Sequence, residues 1–397
     1  MKPRTIKRIG LAFPLGIAFM ERLLQGILDY AREHGGWVFT RMPERLNPSI
    51  DWLAHWQGDG AFAVITTAAD AKIARSLRMP VVNLTAHLGE TGAPTVMVDH
   101  EAIGRLAARH LIERRFQRFG YYGARGMYYS RLRRAGFVGA VGRAAGACKV
   151  LEVAAAISAR HDWRREQESL DEWLRTLQSP VGIMASTDLR ASMVTEACAR
   201  LGLRVPEDVA VIGVDNDPVV CEFSHPPLSS VSRNDAEVGR QAAALLDRLM
   251  AGAPPPKRPI LVAPDSVLAR RSTETLAIED PHVAAAVRYI RGHLHERFGV
   301  ERILGLSAVS RRRLEHRFRR SLGCTPYALI SQLRVERARQ LLAEPKKRTL
   351  SEIATACGFS ELRRFRLVFH RLTGTTPAHF RKSSLKSPAQ RPRSVSQ

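Results

Sequence analysis

Short apolar runs alternate with amphipathic stretches from Ile9 to Val214, and no other feature limits the fold of this chain as strongly. The runs are Ile9–Phe13, Gly60–Thr66, Pro80–Leu84, Thr95–Val98, Phe119–Tyr122, Val181–Ala185 and Val209–Val214. Between them, Phe19–His34, Ile103–Glu113 and Ser192–Leu201 repeat apolar residues at three- and four-residue spacing, the period of a helix with one buried face. Strand and helix in repeated alternation imply a mostly parallel sheet with helices on both sides. In such sheets ligands bind beyond the carboxyl ends of the strands.

The alternation does not continue to the end. Ala253-Pro-Pro-Pro256 closes a helical stretch, Ile260-Leu-Val262 reads as one more strand, and from about His282 the pattern becomes helical throughout. Charge changes at the same place. Of the net +23, residues 282–397 hold +18, with 25 Lys and Arg against 7 Asp and Glu. Concentrated positive charge attracts polyanions by neutralising phosphates and releasing their counterions. RNA, DNA and an anionic membrane surface all remain open at this level. The domains expected are residues 1–275, 276–382 and a Ser-, Pro- and basic-rich tail, 383–397, expected to be disordered.

Several classes are set aside by pattern. No apolar stretch approaches the roughly 20 residues of a spanning helix, so no membrane partner is expected. The basic start and the apolar Ile9–Met20 imitate a secretory leader, but Pro14 and Gly16 interrupt the run and Glu21-Arg22 stands where small residues would be cleaved. A first buried strand is the better reading. Cys148, Cys198, Cys221, Cys324 and Cys357 are odd in number and scattered, which suits reduced thiols in a cytoplasmic protein. Nucleophile elbows, zinc-protease motifs, Walker loops and dinucleotide-binding glycine runs are missing, so neither enzyme nor cofactor is expected.

Two acids follow strands: Asp188 after Ala185, and Asp215 after Val214. A carboxylate there accepts from ligand hydroxyls, or it caps the helix behind it. Around them, Val96–Gly123, Ser130–Ala140 and Gly182–Ser232, with Gly202-Leu-Arg-Val-Pro-Glu-Asp-Val-Ala-Val-Ile-Gly-Val-Asp-Asn216 most telling, resemble the effector domain of lactose- and galactose-repressor-type regulators. The resemblance implies a periplasmic-binding-protein-like domain whose two α/β lobes close on a small sugar. It implies contacts from Arg131, five residues before Gly136-Phe137, from Asp215, and from the Thr187-Asp188 pair, with Tyr129 and Phe19 (Tyr128 is another candidate) offering aromatic faces unless they only pack. Lactose-repressor-type proteins begin with a helix-turn-helix. This chain opens on the first strand, so a DNA reader is expected elsewhere in it.

The basic region supplies two candidates. Val283–Arg297 reads as a helix, and Val300–Leu304 with Ser310–Ser321 as a helix-turn-helix. Then come a long helix, Pro326–Glu344, and a second pair, Leu350–Cys357 and Ser360–Leu372. Ser310 and Ser360 look like N-caps, Gly323 and Gly374 like helix stops. Leu314 with Phe318, and Phe365 with Phe369, point inward. Arg311, Arg312, Glu315 and His316 on one helix, and Arg363, Arg364 and Arg366 on the other, are expected to face DNA.

Gly323-Cys-Thr-Pro326, Leu333–Leu342, Ile353-Ala-Thr-Ala-Cys-Gly-Phe359 and Thr373-Gly-Thr-Thr-Pro377 resemble the AraC-type DNA-binding domain, an all-α double helix-turn-helix. Leu367 departs from it, standing where an Arg is common. The two resemblances together describe xylose-operon-type regulators. They imply double-stranded DNA and a sugar (xylose or a relative) as partners, a homodimer, and RNA polymerase contact if the protein is an activator. A sugar receptor without DNA function is the competing reading, and it leaves the basic residues unexplained.

Overall fold

A computed structural model of the chain describes residues 6–41, 50–142, 148–154, 162–275, 277–278, 280–305, 309–343 and 348–386. The chain forms two compact units, Met1–Ala277 and Ile278–Gln397.

The first unit opens with β1 (Lys7–Ala12), α1 (Ala18–His34), β2 (Trp37–Arg41), β3 (Gly60–Ala63), α2 (Ala68–Ser76) and β4 (Val81–Asn83). These strands make a parallel sheet in the order β2-β1-β3-β4. The apolar start that imitates a leader is therefore a buried inner strand. A second lobe follows: β5 (Val96–Val98), α3 (His100–Glu113), β6 (Phe119–Arg125), α4 (Tyr128–Gly142), β7 (Cys148–Ala154), α5 (Trp163–Arg175), β8 (Val181–Ala185), α6 (Asp188–Arg200), β9 (Val209–Val214), α7 (Pro218–Phe223) and β10 (Ser229–Val231). Then α8 (Asp235–Met250) returns to pack on α1, while β11 (Ile260–Val262) pairs with β5 and β12 (Val267–Leu268) with β10. The larger sheet runs β12-β10-β9-β8-β6-β7, parallel except at β12.

Strands β3, β8 and β9 are buried at every residue. A parallel strand covered on both faces reads as a continuous apolar run, which is how sequence finds it. The edge strands β2 and β7 have no fully buried residue, carry mixed polar and apolar side chains, and give no such run. They are not among the expected strands.

Helices α3 and α4 approach each other closely through facing glycines. A Cβ at Gly104 would lie 2.2 Å from the Arg133 carbonyl oxygen, and one at Gly136 would lie 2.1 Å from that of Glu101. Only residues without a side chain let the two backbones meet.

The second unit contains α9 (Pro281–Gly292), α10 (Val300–Leu304), α11 (Arg311–Leu322), α12 (Pro326–Ala343), α13 (Leu350–Ala356), α14 (Leu362–Thr373) and α15 (Pro377–Lys386). One core joins Ile290, Ile303, Leu314 and Phe318 to Ile330 of α12. Another joins Ile353, Phe359, Phe365 and Phe369 to Val335 and Leu342 further along the same helix. So α12 is shared by both helix-turn-helix halves.

Between the two cores stands Arg334, only 9% exposed. Its guanidinium donates to the carbonyls of Glu296 (2.8 Å) and Phe298 (3.3 Å) and lies over the rings of Phe298 and Phe359. Gly358, at φ 71°, fits beneath it; a Cβ there would meet the carbonyl oxygens of Glu296 and Leu294 at 2.5 and 2.6 Å.

Three expectations change here. Helix α9 ends at Gly292, not Arg297, because the following segment turns to offer its carbonyls to Arg334. Ser310 caps α11 through the Arg313 amide, but α14 begins a residue later than a Ser360 cap would allow, with Glu361 at its N-cap and no side-chain bond. Helix α15 continues to Lys386, so the first four residues assigned to the tail are helical; 387–397 lie outside the described residues. Gly323 and Gly374 do terminate α11 and α14, both in the left-handed region.

Candidate functional site

The carboxyl ends of the strands meet at a cleft in the first unit. Its wall includes Phe19, His87, His100, Tyr129, Arg133, Thr187, Asp215 and Arg233, around a cavity of about 100 Å³. Asp215 follows β9 with φ 110°, a backbone angle that costs a non-glycine residue about 1–3 kcal/mol and tends to be kept at functional positions. Among the bonds that hold that turn, the Asp215 amide donates to the Val231 carbonyl (3.1 Å), and Arg22 donates to the Asp215 carbonyl.

The result is a carboxylate between two buried guanidiniums. Asp215 Oδ1 accepts from Arg233 at 3.2 Å and from Arg133 at 3.4 Å. Arg133 is 1% exposed, donates to the Ser186 carbonyl and to His100 Nδ1, and lies over the Tyr129 ring. Arg233 pairs also with Asp235 and lies 4.2 Å from the centre of the Phe19 ring. Burial, reinforced by the Arg133 charge, holds His100 well below the usual imidazole range, so it is neutral. With Nδ1 accepting from Arg133, its ring proton is on Nε2. Acceptor, donors, a neutral imidazole and aromatic surface are the groups that recognise a polyol.

Two backbone bonds cross the seam beside the cleft. The amides of Tyr128 and Tyr129, at the start of α4, donate to the carbonyls of His87 (3.0 Å) and Ala86 (2.8 Å), which follow β4 in the opposite lobe. These bonds tie the two lobes together beside the cleft.

Asp188 does not line the cleft. It is 1% exposed, behind the Asp215 turn, and accepts from Ser230 Oγ (2.6 Å), the Asp217 amide (2.8 Å) and the Cys221 thiol. Nor is it an N-cap: Thr187 caps α6 and Asp217 caps α7. Burial, and then the Asp215 charge, push its carboxyl up to about 7. An acid whose pKa is raised by folding stabilises the protein fully below its unfolded value, and this contribution is lost as pH rises toward the folded one. Asp188→Asn should therefore gain melting temperature relative to the parent as pH rises from 4 to 8. The comparison must be between the two proteins, because His110, pushed down to about 3 by burial, acts in the opposite sense as pH falls below 6.5. A pH-independent difference would show that Asp188 is ionised throughout.

Of the residues expected at the sugar, Asp215, Tyr129 and Phe19 come together in the cleft, and Arg131 does not. Arg131 is exposed, over the Tyr128 ring in a separate surface hollow that also contains Arg134 and Glu152. Arg133 stands at the cleft instead. The signal for it was helical period: Gly136 and Phe137 are buried on α4, and the arginine sharing their face is three and four residues back, not five. Arg233, His87 and His100 carry no pattern that singles them out.

In the second unit the reading helices divide differently from expectation. On α11, Arg312 and His316 lie opposite Leu314 and Phe318, and so do Arg319 and Arg320, all exposed. Arg311 and Glu315 sit to the side, paired at 3.2 Å, with Arg311 also reaching Glu301. On α14, Arg363 and Arg366 face outward, whereas Arg364 donates to the Tyr327 hydroxyl (3.4 Å) on α12.

Two α/β lobes flanking a polyol-suited cleft, in one chain with a paired helix-turn-helix, define a ligand-sensing DNA-binding regulator. Residues 108–273 match the model of the periplasmic binding protein-like domain, and residues 306–383 that of a helix-turn-helix domain. The xylose operon regulatory protein of Escherichia coli (strain K12) is 32% identical over 381 residues, covering 94% of this chain and 96% of that protein. That of Haemophilus influenzae (strain ATCC 51907 / DSM 11121 / KW20 / Rd) is 33% identical over 289 residues, 72% of this chain and 74% of its own. The solved structure of a xylose-binding transcription activator superposes with a TM-score of 0.72 and 30% identity, over 96% of this chain and 98% of that one. The chain belongs to the AraC-type regulators with a periplasmic-binding-protein-like sugar sensor, the group of the xylose operon regulatory proteins; it is a transcription regulator and not an enzyme.

Proposed function

We propose that the cleft takes a single neutral pentose, xylose or a close relative, and that its binding controls activation of transcription from DNA held by α11 and α14. The observation that carries the ligand class is the Arg133–Asp215–Arg233 arrangement. The two guanidiniums share the one Asp215 carboxylate, so the site offers an acceptor beside its donors, and a sugar acid's carboxylate, which can only accept, would be set against Asp215. Neutral hydroxyls donate to the carboxylate and accept from the guanidiniums at once. A cavity of about 100 Å³ favours one sugar ring over two. The xylose-binding relative points the same way. Arg312, His316, Arg363 and Arg366 would contact DNA, and Arg311, Glu315 and Arg364 would brace the surfaces that do. The protein would act in the cytoplasm as a homodimer, recruiting RNA polymerase.

The test is a thermal-shift screen of pentoses, hexoses and sugar acids, followed by duplex binding with the best of them. A sugar at 100 times its Kd should stabilise the first unit by about 2.7 kcal/mol. Binding to duplex should weaken with salt at a log–log slope of about −0.9 per phosphate contacted. A response to sugar acids alone would overturn the ligand class, and a flat salt response would overturn the groove-docked geometry.

A further inference from the structure

On α14 the most exposed apolar side chain is one that the fold does not account for. Leu367 is 62% exposed. Phe365, Val368 and Phe369 mark the buried side of this helix. At 3.6 residues per turn, Arg363, Leu367 and His370 fall on the opposite side, with Arg366 at its edge. Together with Leu362 they line a shallow surface hollow. The remaining arginine of the first turn, Arg364, is turned aside to Tyr327. So the outward face of α14 is a leucine flanked by two arginines and a histidine.

A leucine in that setting contributes nothing to phosphate binding, and an exposed apolar side chain gains nothing from water. The major groove does offer it a counterpart. The C5 methyl of thymine is the apolar group displayed on a base edge there, and guanine beside it offers O6 and N7 to an arginine. The charge of residues 282–397, 25 basic against 7 acidic, makes a duplex the occupant this face complements. We propose that Leu367 reads a thymine methyl in the half-site under α14, next to a guanine or phosphate held by Arg363 or Arg366. This rests on α14 lying in the major groove.

The full chain, with the sugar that stabilises it most, is used to select duplexes from a randomised library. The preferred duplex is then resynthesised with each thymine in turn replaced by deoxyuridine, which lacks only the methyl group. Burying one methyl corresponds to about a fourfold change in affinity. The parent protein should lose about fourfold at a thymine under α14, and Leu367→Ala should bind the thymine and uracil duplexes equally. Circular dichroism of Leu367→Ala should match the parent, since the side chain is outside the core. Retention of the uracil penalty in Leu367→Ala, or indifference of the parent to every replacement in that half-site, would overturn the proposal while leaving DNA reading intact. Failure to enrich any duplex would overturn the groove assignment of α14, and the proposal with it.

Discussion

Asp215→Asn should weaken sugar binding by about ten- to a hundredfold, the range spanned by loss of one charged hydrogen bond. The amide keeps the size of the carboxylate, and its one oxygen can still accept from both guanidiniums, so the cleft retains its shape. What it loses is the negative charge that Arg133 and Arg233 share, at 3.4 and 3.2 Å. Calorimetric titration of the sugar into parent and variant reads the change directly. Arg131→Ala is the matched control: its guanidinium lies over Tyr128, outside the cleft, and affinity should change less than about twofold, an exposed contact being worth little. If Arg131→Ala were the more damaging substitution, the cleft described here would not be the sugar site.

Gly358→Ala should be the most damaging small substitution in the second unit. Its backbone is left-handed, which costs a side-chain-bearing residue about 1–2 kcal/mol. The added methyl would also press on the carbonyl oxygens of Glu296 and Leu294 and on the Arg334 guanidinium. Relieving such overpacking costs typically about 1–3 kcal/mol more. Differential scanning calorimetry should show the transition of the second unit lowered or lost, duplex binding reduced with it, and the sugar-dependent stabilisation of the first unit preserved. A fully retained duplex affinity would mean that the two reading helices need no fixed relation.

Much of this architecture is legible in the sequence, and the exceptions share physical causes. The inner strands β8 and β9 match their sequence expectation residue for residue, because burial on both faces writes an unbroken apolar run. The edge strands β2 and β7 write none. Asp215 was visible from its place after a strand, but Asp188, equally well placed, turned out to hold the turn from behind. Sequence spacing does not say which of two strand-end acids is turned toward ligand. The family spacing points to Arg131, whereas the helical period of α4 puts Arg133 on the face of Gly136 and Phe137. Arg233 reaches the cleft through tertiary packing alone. On the reading helices, the reach of Arg311 to Glu301 and the turn of Arg364 to Tyr327 depend on residues that belong to other helices.

The glycine contact between α3 and α4 bears on how such a regulator is tuned. Arg133 lies on α4, and its own carbonyl is the atom against which Gly104 rests. The position of that guanidinium relative to Asp215 is thus set where α4 meets α3, by a glycine that does not line the cleft. A single methyl at Gly104 or Gly136 would push the helices apart and move Arg133 relative to Asp215 without altering any group in the cleft. The affinity of the cleft would then change while the groups that line it stay the same. A lineage adapting to scarcer or more abundant sugar would then record its history in the spacing of two helices, with the binding residues themselves unchanged.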